Sequence, residues 1–233
     1  MSILSELQKL ASRQDPAKEF SEVANKIINH YELVINQTCF DFTALEFYVY
    51  DSKIHPDPFV HRADKQLSLG YWYFHNSGFD VTCGDGKRRY GGILLRGIQT
   101  RNSGKEKAGP WLAAEKIFSS LTMVDRNPDQ FLMRPKHSNS FRKIITAKRI
   151  NLQVPKIIDN EIYLREIEHM PLEKELFKDN YDERKDSLKW HFNNHSSNHS
   201  DRKSIKKRLL EEVTLFREYV NKRYLFFVNE ESQ

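Results

Sequence analysis

The first apolar positions of the chain recur at helical spacing. Ile3, Leu4, Leu7, Leu10 and Ala11 fall on one side of a helix over residues 3–12. Asp15-Pro16 then supplies a second helix start, with the carboxylate as N-cap and proline at the first helical position. The helix that follows puts Phe20, Val23, Ile27 and Ile28 on one face. From residue 39 to residue 50 the pattern turns aromatic and β-branched, which predicts a strand. Pro56 and Pro58 break it into a loop. Further strands are expected over 71–75, 79–83 and 92–98. Asn76-Ser77-Gly78 and Gly84-Asp85-Gly86-Lys87 separate them, and both are turn sequences.

Residues 102–107 read as a polar loop, after which Pro110 opens a helix carrying Leu112, Ile117 and Leu121 over 111–121. Strands are expected at 144–154 and 161–167, a helix at 204–219 and a closing strand at 224–228. Between about 172 and 204 the chain is very polar, a pattern of insertion or loop. A few strands with flanking helices, without regular βαβ alternation, indicate an α+β fold. A length of 233 residues suits one domain with an ample core.

Composition narrows the class. No apolar run approaches the ~20 residues a membrane span needs, and the N-terminus lacks the apolar core of a signal peptide. Cys39 and Cys83 are too few for a disulfide framework, which suggests a reducing compartment, most simply the cytoplasm. The net charge of +5 is a mild bias, compatible with a phosphate-backbone partner. Basic residues cluster at 134–149 and 202–208, where each run reads either as a nucleic-acid contact or as a solvated face.

All nine glycines lie between Gly70 and Gly109, in the stretch that also holds the candidate chemistry. Glu46 stands among Leu45, Phe47, Tyr48, Val49 and Tyr50. A carboxylate there is costly to bury unless paired. It reads as a general base for a water, or as an exposed residue on the solvent side of the strand. Arg96, inside Ile93-Leu94-Leu95-Arg96-Gly97, is its obvious partner or else an edge-strand arginine facing water. Tyr48, Tyr71, Trp72, Tyr73, Phe74 and Phe79, with His61 and His75, make either a pocket for a flat ring or plain core. His191, His195 and His199 recur every four residues, but their Asn and Ser neighbours favour a loop over a metal-binding helix. His55 and His61 lack a second carboxylate or cysteine to complete a site, so no metal is expected.

The order of these elements resembles the methylpurine (3-methyladenine, alkyladenine) DNA glycosylase family. Glu46-Phe47-Tyr48 resembles the Glu-Ala-Tyr of its signature strand, and Asp57-Pro58-Phe59-Val60-His61 its Asp-Pro-x-x-His. Gly70 to His75 resembles its Gly-x-Leu-Tyr-Val-Tyr strand, and Tyr90 to Ile98 its Val-Leu-Leu-Arg-Ala strand. Gly109-Pro110-Trp111-Leu112 is similar to its Gly-Pro-Gly-Lys-Leu, and Arg223 to Val228 to its closing Arg-Phe-Tyr-Val strand. The likeness spans about half of the chain. The sequence departs from the family where His75 replaces a pocket tyrosine, where the hairpin tip reads Asn76-Ser77-Gly78, and where the pocket asparagine falls near Thr82-Cys83-Gly84.

The resemblance implies one glycosylase-like domain over 1–233: a mixed, mainly antiparallel curved sheet flanked by helices, with a helical part at about 1–30 and an insertion at about 172–204. It implies a monomeric hydrolase that removes a modified or damaged base from double-stranded DNA, without a cofactor and without a membrane. Glu46 would activate the water and Arg96 would orient Glu46. Tyr48, His61, Tyr73 and His75 would hold the base, and Ser77, Phe79, Lys148 and Arg149 would contact DNA. Hydrolysis of a nucleoside, or base binding without catalysis, remains open beside it.

Overall fold

The computed structural model describes residues 2–76, 78–101, 103–121, 131–136, 141–152, 211 and 214–229. It divides into two compact units, residues 1–150 with 222–233, and residues 151–221. In the second unit residues 214–220 are helical, overlapping the end of the helix expected at 204–219. The strand expected at 161–167, most of the basic run at 202–208, the polar stretch at 172–204 and His191, His195 and His199 lie outside the described residues.

The first unit is mixed α and β, built on a ten-stranded sheet whose described pairings are all antiparallel. Helix α1 (Ile3–Ser12) forms as its periodicity demands, with Ser2 as N-cap. Asp15-Pro16 opens a 3-10 turn, Pro16–Lys18, and the helix α2 proper runs over Phe20–His30. Then come β1 (Tyr31–Ile35), β2 (Thr38–Asp51), the short β3 (His55–Pro56), β4 (Leu69–His75), β5 (Gly78–Cys83) and β6 (Tyr90–Thr100). After β7 (Glu106–Ala108), helix α3 (Pro110–Phe118), β8 (Phe131–Pro135) and β9 (Ile144–Ala147), the chain returns as β10 (Leu225–Val228). Strands β1, β3, β7 and β8 were not expected; β3 falls in the loop expected at Pro56, and β7 begins in the polar loop expected over 102–107. The strand expected over 144–154 ends at Ala147.

Strand β2 is the axis of the sheet. It pairs with β6 along its length, and on its other side with β1 at its start and β10 at its middle. The register slips around Thr43, a bulge that inserts one residue into the period-two pattern. The buried side therefore passes from Phe40 and Phe42 to Leu45, Phe47 and Val49. Phe20 of α2 stacks on Phe47 with ring centroids 4.7 Å apart, and Tyr224 and Phe226 meet these rings edge-on. This aromatic core commits odd-numbered residues 45–49 to the interior, so Glu46 and Tyr48 stand together on the opposite face.

Arg89 ties two elements together. Its guanidinium donates to the carbonyls of Leu10 and Ala11 at the end of α1 and pairs with buried Asp51 at the end of β2. Among the described residues no helix is long and apolar enough to cross a membrane.

Candidate active site

Glu46 is completely buried, which removes the reading of a solvent-facing carboxylate. Burial of an anion requires donors, and three elements supply them. Tyr48, two residues along the same face, donates its hydroxyl to Oε2 at 3.0 Å. Arg96 reaches the same oxygen at 3.4 Å. The backbone N–H of Ile150, past the end of β9, donates to Oε1 at 2.9 Å.

The position of Arg96 follows from the register. Ala44 pairs with Gly97 and Leu45 with Leu95, so Arg96 is the residue skipped on β6. A bulge re-aims the side chain it carries, here toward Glu46. The Tyr48 hydroxyl is pushed well above the usual phenol range, first by burial and then by the neighbouring Glu46 anion. It therefore stays a donor throughout the physiological range.

Tyr48 is clamped from its ring face by Arg149, whose guanidinium carbon lies 4.6 Å from the ring centroid. Arg149 also forms a buried bidentate pair with Asp57, at 2.6 and 3.2 Å, and donates to the carbonyl of Phe47. Asp57 in turn accepts the N–H of Phe59. The segment that leads to His61 is thus locked onto β2 by an ion pair.

His61 itself is exposed. Its ring meets that of His75 at 4.8 Å, and His75 lies 5.1 Å from Tyr73. Tyr73 and His75 flank a further buried acid, Asp80. The expected site residues therefore form two groups: Glu46, Tyr48 and Arg96, and then His61, Tyr73 and His75. They are linked across the sheet, because Tyr48 pairs with Gly92, Gly92 with Thr82, and Asp80 with Tyr73.

Several expectations are corrected. Phe79 is only 1% exposed and stacks parallel to Trp72 in the core, so it has no surface to insert between bases. Arg149 has no exposed side-chain surface and is spent on Asp57, so it is no phosphate contact. Lys148 is exposed, as a DNA contact requires, and Ser77 lies outside the described residues.

The 134–149 run is solvated only in part: Lys143 and Lys148 are exposed, while other cations of the run turn to internal partners. Arg134 pairs with buried Glu32, and Lys136 pairs with Asp41 at 3.0 Å. Arg142 donates to the carbonyls of Ile28 and Phe42. His55 is a packing residue, donating Nδ1–H to the carbonyl of Val49 and facing the Tyr224 hydroxyl through Nε2. Among the described residues no three His, Cys, Asp or Glu side chains converge as for a metal.

Asp80, Gln66 and the Ile150 N–H have no role in the sequence reading, and Asp57 enters it only as part of the Asp-Pro-x-x-His likeness. Asp80 carried the same signal as Glu46, an acid between Phe79 and Val81 in a strand. The backbone donor of Ile150 carries no residue-type signal at all. Comparison with family profiles, with curated proteins and with solved structures gives no match to this chain.

Proposed function

We propose that Glu46 is the general base of an N-glycosidic-bond hydrolase of the methylpurine-DNA-glycosylase kind, which removes a modified or damaged base from DNA. The observation that carries this reading is the fully buried Glu46 carboxylate, oriented by Tyr48, Arg96 and the Ile150 N–H. A carboxylate offers about four lone-pair sites, so three donors leave one for the proton of a water. Glu46 takes that proton as the water oxygen bonds to the sugar anomeric carbon. The carbon–nitrogen bond breaks and its electron pair leaves with the base. Orientation of the base falls to Tyr48, Tyr73, His61 and His75, and the chemistry requires no cofactor.

The test is base release from oligonucleotides carrying a panel of modified bases. Wild type should release at least one of them, and Glu46→Gln should lose about a hundredfold or more in rate. Release that survives Glu46→Gln would remove Glu46 from the mechanism.

A second reading, hydrolysis of a free nucleoside, is favoured by two observations. Phe79 is unavailable as a wedge, and Arg134, Lys136 and Arg149 of the basic run are turned to internal partners. Nucleosides assayed beside the oligonucleotides separate the two, since only the second reading has them cleaved when duplex DNA is not.

A further inference from the structure

The face that carries Glu46 holds another buried carboxylate, which the hydrolytic step leaves unused. Asp80 of β5 is in register with Leu94 of β6, and Leu94 is in register with Glu46 of β2. Asp80 is 2% exposed. Its Oδ1 meets Nε2 of His75 at 3.0 Å, and its Oδ2 accepts from Nε2 of Gln66 at 3.4 Å. Gln66 is itself fixed, accepting the N–H of Ala63 through its Oε1. The carboxylate is thus held by side chains from two different elements.

Gly92 makes room for it. A Cβ on Gly92 would come within 2.5 Å of Asp80 Oδ2 and 3.1 Å of Gln66 Nε2. Asp80 therefore reaches over a bare backbone position whose partner on the far side is Tyr48. Its own cross-strand partner is Tyr73. Two of the aromatic rings assigned to holding the base accordingly stand on either side of this carboxylate.

We propose that Asp80 reads the edge of the bound base, selecting bases that carry an exocyclic amine over those that carry a carbonyl oxygen there. The inference rests on the base-holding residues of the proposed function. An ionised carboxylate only accepts hydrogen bonds, at about four lone-pair sites, of which His75 and Gln66 occupy two. An amine supplies N–H donors to the remainder in charge-assisted bonds. A carbonyl oxygen placed there sets acceptor against acceptor, and both are left unpaired in a buried site.

The experiment is equilibrium binding of matched nucleosides to the full chain, deoxyadenosine against deoxyinosine and deoxycytidine against deoxyuridine. Within at least one pair the amine-bearing member should bind wild type about tenfold or more tightly. In Asp80→Asn, whose amide adds a donor of the same shape, that preference should shrink or reverse. Equal binding within both pairs, no binding by any of the four, or a preference unchanged in Asp80→Asn would overturn the proposal. Should Asp80→Asn fail to fold, the wild-type ratio decides alone. An amine preference without base release from any oligonucleotide keeps the edge reading and removes the hydrolase. Base release that is indifferent to amine or carbonyl does the reverse.

Discussion

Glu46 can be buried because every donor near it points inward, and the same logic governs other single residues of the sheet. Gly92 is the plainest case, since any side chain there meets the Asp80 carboxylate. Gly92→Ala should destabilise the protein by about 1–3 kcal/mol and displace Asp80, which thermal melting and nucleoside binding would both register. Wild-type melting temperature and binding in that variant would refute the contact.

His55 makes a pH prediction. Burial holds its imidazole below the ordinary histidine range. The unfolded chain therefore takes up a proton first as pH falls, so stability decreases below about pH 6.5 until the folded state's own, lower value is reached. His55→Gln should flatten that part of a melting-temperature profile between pH 5 and 7. An unchanged slope would assign the effect to other groups. Glu46 and Arg96 were legible at this scale because a charge inside an apolar strand must find a partner. His55 was not, because a histidine's tautomer and neighbours are set by residues as distant as Tyr224.

Elements are joined by a few buried polar contacts as much as by apolar area. The Asp57–Arg149 pair fastens the loop after β3 to the segment after β9, and both side chains are fully buried. Removing one partner of such a pair leaves an uncompensated charge, so Asp57→Ala should cost roughly 3–5 kcal/mol. A melting temperature within error of wild type would mean that water or another cation takes over. The amphipathic patterns of α1 and α2 and the aromatic run of β2 gave these elements away. The short strand β7 has no apolar pattern of its own and pairs with β6, whereas the apolar residues of β1 directly follow the helical pattern of α2 and are told from it only by pairing with β2 and β8. The bulge around Thr43 was equally hidden, since it is visible only as a slip against β6.

Over the whole molecule, charge proved less informative than its count suggested. Glu32, Asp41, Arg101, Arg134 and Lys136 form one ion-pair network across β1, β2 and β8. Burial lowers the basicity of the Lys136 amine, with the Arg142 cation adding to it against the opposing pull of Asp41. Lys136→Ala should therefore lower the melting temperature while leaving duplex affinity and its salt dependence unchanged. A loss of affinity at unchanged stability would return this run to the nucleic-acid surface.

The sequence by itself determined the α+β class, the first two helices and the central strands, and it marked Glu46 and Arg96 as charges that need a partner if buried. It could do so because periodicity and the cost of an unpaired charge are local properties. Only the tertiary structure decided which cations face inward, that Phe79 belongs to the core, that Asp80 shares a sheet face with Glu46, and that the Ile150 N–H reaches the Glu46 carboxylate. Those outcomes depend on register and on contacts between residues up to about a hundred positions apart, which no local pattern encodes.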